Sequence, residues 1–121
     1  MPKIITKPTR IEENGDKIKI VEEYIGLVNS KNEDVSIAHM HAPADWKDIG
    51  QCPDFDEFII VLKGVLRVEF KGGLIDVNAG QAVIMQKGEW ICYSAQGKDG
   101  VEYISLCTPA FSLQKVHKDI L

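Results

Sequence analysis

Cysteine is scarce in this chain. Cys52, Cys92 and Cys107 are odd in number and form no CxxC pair, so neither a disulfide framework nor a cysteine-based zinc knuckle is indicated. No apolar run approaches the roughly 18 residues of a membrane span, and the start MPKIITKPTR lacks the apolar stretch of a signal peptide. The expected setting is cytoplasmic, with no membrane partner. Positive charge is also short: 14 Lys and Arg stand against 18 Asp and Glu, for a net charge of -4, and the basic residues are scattered. Nucleic acid is therefore not an expected partner. A phosphate-cradling glycine loop, a nucleophile elbow and a dinucleotide fingerprint are all missing, which argues against nucleotide hydrolysis, acyl-serine chemistry and hydride transfer. Helical periodicity is almost absent before residue 110, and no repeat of 20 to 50 residues is found.

What remains is a succession of short strands. The 121 residues suit one domain, with a core over about 17–107, an N-terminal arm at 1–10 and a tail at 108–121. Asn14-Gly15 signals a turn before KIKIVEEYIGLV (17–28), which begins in alternation. VSIAHM (35–40) places Val35, Ile37, His39 and His41 on one face, expected to point inward, and Ser36, Ala38 and Met40 on the other. Residues 42–56 hold two prolines, a glycine and four aspartates and predict a long loop, in which Trp46 and Phe55 could fold over the histidines as a lid. EFIIVLKG (57–64) reads as a strand buried on both faces, ending in a turn at Lys63-Gly64. VLRVEF, LIDV, QAVIM, WICYS and VEYISLC follow, separated by turn signals that include AQGKDG at 95–100, and a short helix is predicted after Pro109. Seven or eight such strands imply an all-β sandwich or barrel.

The chemistry is concentrated between residues 36 and 64. His39 and His41 are two apart, so a strand projects both imidazoles from one side. Glu57, at the head of the next strand, can complete a corner of two imidazoles and one carboxylate. That set is the facial arrangement of non-haem iron, and it also suits manganese, nickel, copper or zinc. His117 lies in a polar tail and reads as a surface residue.

In this order, His-x-His, then Glu57 with six residues before Gly64, then Gly80 and Gly88, the chain resembles the cupins, small jelly-roll barrels. The resemblance covers roughly residues 36–107. It implies a cupin-type jelly roll (double-stranded β-helix) with a divalent transition metal inside the barrel, held by His39, His41 and Glu57. The chain departs from the pattern in four places. Glu33 stands where the first motif has its leading glycine, and fifteen residues separate His41 from Glu57 where three or four are usual. In the second motif, Gln86 replaces a proline and Ile91 replaces the fourth ligand, a histidine. Alternation then makes Tyr93 the next inward polar group, a candidate proton donor. Asp45 sits at the spacing of the family's acid and is a second candidate, but only Glu57 heads a strand able to hold a carboxylate rigidly.

Two functions follow from the resemblance. One is a metal-dependent enzyme acting on a small molecule, of oxygenase, isomerase or lyase type. The other is a non-catalytic small-molecule binding or sensing barrel with a degenerate metal site. A homodimer is expected in either case, with the N-terminal arm able to add to a neighbour's sheet edge.

Overall fold

Alternation of apolar and polar residues writes most of the strands directly, and their pairing then sets what each face sees. The computed structural model describes residues 1–11 and 18–120; the Asn14-Gly15 turn and Lys17 lie outside them. The strands are β1 (Thr9–Ile11), β2 (Ile20–Ile25), β3 (Ser36–Ala42), β4 (Asp56–Phe70), β5 (Gly73–Asn78), β6 (Ala82–Met85) and β7 (Ile91–Thr108). A one-turn helix, α1 (Leu113–Val116), follows Pro109, as predicted. Strand order is β1-β2-β3-β7-β4-β5, with β6 on β4, and every pairing is antiparallel. No helix among the described residues is long and apolar enough to cross a membrane.

Two predicted turns are not chain reversals. β4 continues through Lys63-Gly64, and β7 continues through the AQGKDG segment. Each pairs with the other on both sides of a register shift, Gly64 opposite Val101 and then Val65 opposite Gln96. The strands bend here rather than end. Gly64 and Gly100 have positive φ, 79° and 74°, and a Cβ on Gly64 would lie 2.1 Å from the Gly100 carbonyl oxygen. Only glycine lets the two backbones pass this closely.

The concave side of the sheet is filled by Ile59, Val61, Leu66, Val68, Ile91, Tyr93, Val101 and Tyr103, with Trp46 packed among them. A smaller cluster of Phe55, Cys107 and Val116, with Phe111 against it, closes one end. Trp46 and Phe55 are thus built into the interior, 4% and 3% exposed, and neither forms the lid expected over the histidines. The 42–56 segment is strapped to the barrel by bonds from Asp48 N to Tyr93 O and between Gln51 and Ile91. β4 also differs from its predicted character. Glu57, Ile59 and Val61 are buried, but Phe58, Ile60 and Leu62 are 40%, 53% and 43% exposed, so one of its two apolar faces is bare. At the N-terminus, Thr9–Ile11 pairs with its own sheet.

Candidate functional site

In an antiparallel ladder, residues directly opposite each other share a face. Glu57 lies opposite Cys107 on β7, and Cys107 lies opposite Ser36 on β3. Glu57 therefore projects on the same side as Ser36, Ala38, Met40 and Ala42, which is the concave side. His39 lies opposite Ile104, and Ile104 lies opposite Ile60, which is half exposed. Both imidazoles project from the convex side. The metal corner expected from His39, His41 and Glu57 is not brought together, because β3 presents the face opposite to the one that hydropathy selects. The reason is volume: Tyr93, Tyr103 and Trp46 from other segments occupy the concave space, and the β3 positions beside them accommodate Ser36, Ala38 and Ala42.

Within the cavity, Glu57 is 7% exposed and accepts hydrogen bonds from the Tyr93 phenol at 2.6 Å and the Ser105 hydroxyl at 2.5 Å. Lys19, Glu23, Ser36, Gln51 and Tyr103 also line it. Lys19 is buried, with its ammonium 4.7 Å from the Trp46 ring centroid. Glu23 is committed to structure, since its Oε2 accepts from the backbone N–H groups of Val28 and Asn29. Burial, reinforced by the Glu57 charge, raises the Tyr93 phenol well above its ordinary pKa. Burial also pushes Tyr103 up to about 12, with Glu57 adding to the rise and Lys19 opposing it. Cys107 is raised the same way, by burial first and Glu57 second. The enclosed volume is about 40 Å³. At about 10–15 Å³ per water, that is room for roughly three waters or a ligand of similar bulk.

The other candidates are dispersed. Asp45 is exposed, has φ 63°, and lines a surface hollow with Lys47, Arg67 and Glu69, away from both Glu57 and the histidines. Cys92 is buried with its thiol on the Asp48 carbonyl, under the 42–56 segment. His117 is exposed and 2.6 Å from Asp54. On the convex side, the His39 and His41 rings lie 4.3 Å apart between centroids, tilted by 48°. With Glu22 they form a group whose ligand atoms lie within 4.8 Å of one another. Glu22 was missed because only the β2–β3 register, Glu22 opposite His39, places it there.

No family model matches the sequence. Solved structures do match: the Clostridium difficile EutQ protein at 19% identity and TM-score 0.69, covering 88% of this chain and 83% of that one. Bacillus subtilis oxalate decarboxylase aligns at 15% identity and TM-score 0.74, over 94% of this chain and 31% of that one. KdgF from Halomonas sp. aligns at 15% identity and TM-score 0.66, over 78% and 81%. The fold is that of the cupins. A curated protein, endoribonuclease YbeY of Myxococcus xanthus, is 33% identical over 104 residues, covering 86% of this chain. The chain spans only 35% of that protein's length.

The resemblance implies a metal in the cupin-type cavity. A divalent transition metal needs several deprotonated or neutral-imidazole donors. No imidazole lines this cavity, Tyr93 and Cys107 are both held in their protonated forms, and both oxygens of Glu57 already accept hydroxyl protons. Of the other two carboxylates lining it, Glu23 is held by the Val28 and Asn29 N–H groups and Asp48 by Ile49 N–H and Lys118. The cavity residues do not fit a metal, whereas the Glu22, His39 and His41 group on the convex face has suitable donors.

Proposed function

We propose that this chain binds a small polar molecule in its barrel cavity without a metal there. The observation that carries the reading is Glu57, a buried carboxylate held by two hydroxyls in a cavity with no imidazole. A ligand entering beside it meets an anion at Glu57, a cation at Lys19 and a neutral phenol at Tyr103. It therefore needs a donor and an acceptor close together, as in a hydroxy acid, an amide or an amino acid of few atoms. Support for metal binding moves to the Glu22, His39 and His41 group, so an enzyme using His39, His41 and Glu57 on one ion is not our reading. The endoribonuclease name is not carried over either. The chain spans only 35% of that relative, and a net charge of -4 does not favour RNA as the ligand.

The test uses protein purified without an affinity tag, with glycolate, acetamide and glycine as probes followed by NMR of the tyrosine ring resonances. At least one probe is expected to shift the Tyr93 or Tyr103 signals saturably, with the effect weakened about tenfold or more in Glu57→Gln. Bound metal that disappears in Glu57→Gln would overturn the reading, as would silence from every probe.

We further infer a second copy of the chain as partner. Its support is the bare side of β4, where Phe58, Ile60 and Leu62 adjoin Ile84, itself 67% exposed. A run apolar on both faces is written for burial on both, yet the chain covers one.

A further inference from the structure

We propose that the convex face of the sheet carries a divalent-metal site formed by Glu22, His39 and His41, opening on a cleft that takes a small carboxylate. The site lies on the opposite face from Glu57 and stands independently of the cavity reading.

The construction follows from register. β3 runs between β2 and β7, Glu22 faces His39 from one side, and Glu102 faces His41 from the other. The Glu22 carboxylate is 3.9 Å from His41 Nε2. Glu102 reaches both rings, with Oε2 at 3.6 Å from His39 Nε2 and Oε1 at 3.3 Å from His41 Nδ1. His39 Nε2 is buried and has no hydrogen-bond partner, although burying a ring nitrogen without one is costly. A metal would take its lone pair.

Distances are consistent with this. Ligands at about 2.1 Å from a tetrahedral ion are about 3.4 Å apart, so the Glu22–His41 separation of 3.9 Å has to close by about half an ångström, and the widest separation in the group, at most 4.8 Å, by no more than about 1.4 Å. The donor set of imidazole and carboxylate suits zinc, cobalt, nickel or copper, and the partial exposure of His41, 39%, leaves a coordination position for an outside ligand. That position opens on a cleft of about 480 Å³ lined by Ile20, His41, Lys63, Asp99 and Glu102. This is within the range that binds ordinary small molecules, about 300–1,000 Å³. Glu22 and Glu102 together balance a divalent ion, and Lys63 and Asp99 offset each other in the cleft, so a carboxylate is drawn in by coordination to the metal with Lys63 as its second contact rather than by net charge.

Cobalt(II) is the probe for the metal, read by its visible absorption and by calorimetry on the full chain. The wild type is expected to bind one equivalent with the intense spectrum of a nitrogen-ligated low-coordinate ion. His39→Ala and Glu22→Gln should each weaken binding at least tenfold, with far-UV circular dichroism unchanged. Glu57→Gln in the cavity and His117→Ala in the tail should bind as wild type. Binding that survives His39→Ala, is lost in Glu57→Gln, or is absent at 100 µM cobalt overturns the site. Malonate added to the cobalt-loaded protein should change the spectrum saturably, with about fivefold more needed in Lys63→Ala. An unchanged spectrum overturns the carboxylate assignment.

Discussion

Replacing Tyr93 by phenylalanine removes one oxygen and keeps the ring that packs in the core. The lost group is a hydroxyl donating at 2.6 Å to Glu57, a carboxylate only 7% exposed. Hydrogen bonds to charged groups contribute about 1.5–3 kcal/mol, and a buried acceptor stripped of its donor also keeps its desolvation cost. Ser105 still holds the other oxygen, so the lower half of that range applies, about 2 kcal/mol. In urea, with a slope of about 1–3 kcal/mol per molar, the midpoint should fall by about 1 M. At about 4 °C per kcal/mol for a chain of this size, the melting temperature should fall by about 8 °C. The decisive assay is a double-mutant cycle with Glu57→Gln. The phenol loses its charged acceptor in that background, so Tyr93→Phe should cost at least 1 kcal/mol less there than in the wild type. An equal cost in both backgrounds would refute the coupling, and with it the claim that Glu57 is a carboxylate held by the barrel itself.

Alkaline pH offers a second test. Tyr103 is held protonated to about 12 in the native state, chiefly by burial, while in the unfolded chain it titrates near its ordinary value of about 10. Stability from this group is therefore complete below about pH 10 and is lost as pH rises toward 12, by roughly 3 kcal/mol at the limit. Tyr103→Phe should flatten that decline in urea melts, and an unchanged slope would count against the buried phenol. Gly100→Ala places a Cβ 2.1 Å from the Ala42 carbonyl oxygen at φ 74°. It should destabilise by more than about 2 kcal/mol, and a neutral result in thermal melts would mean that β7 does not pass the end of β3 as closely as described. Ile60→Glu puts a charge on the bare side of β4. Sedimentation velocity should show the wild type as a dimer and this variant as a monomer, and a monomeric wild type refutes self-association through that face.

The strands were legible wherever alternation and turn chemistry agreed locally. LIDV, QAVIM and VEYISLC fall within or close to β5, β6 and β7, and the short helix follows Pro109. Glu57 at the head of a strand and Tyr93 pointing inward were readable for the same reason, since each depends only on its own strand's period. The phase of β3 was not. Val35, Ile37, His39 and His41 make the more apolar-looking row, yet Ser36, Ala38 and Ala42 are the buried one, because the space they face is already taken by rings from distant segments. Hydropathy along one strand carries no information about the bulk opposite it. The Lys63-Gly64 and AQGKDG segments misled in a similar way. Positive-φ glycines mark turns and bends alike, and only the pairing of β4 with β7 on both sides of Gly64 separates the two.

One consequence of that phase is that the cavity and the imidazoles cannot serve a single ion by local motion. For His39 and His41 to reach Glu57, β3 would have to slip by one residue, since a slip of one exchanges the faces of a strand. β3 is clamped on both sides, paired to β7 from Ser36–Cys107 through Ala42–Val101 and to β2 from Ile37–Ile25 through His41–Ile20. Its Ser36 hydroxyl also accepts from Phe111 N, tying it to the C-terminal segment. A slip would break both ladders, turn Ser36 away from that bond and drive two imidazoles into space held by Tyr93 and Tyr103. Those losses, at about 1 kcal/mol per hydrogen bond before any packing cost, approach the whole stability of a domain, about 5–15 kcal/mol. The two faces must therefore respond separately: metal titrated onto the histidines should leave the Tyr93 and Tyr103 ring resonances in place, and a ligand in the cavity should leave the cobalt spectrum unchanged.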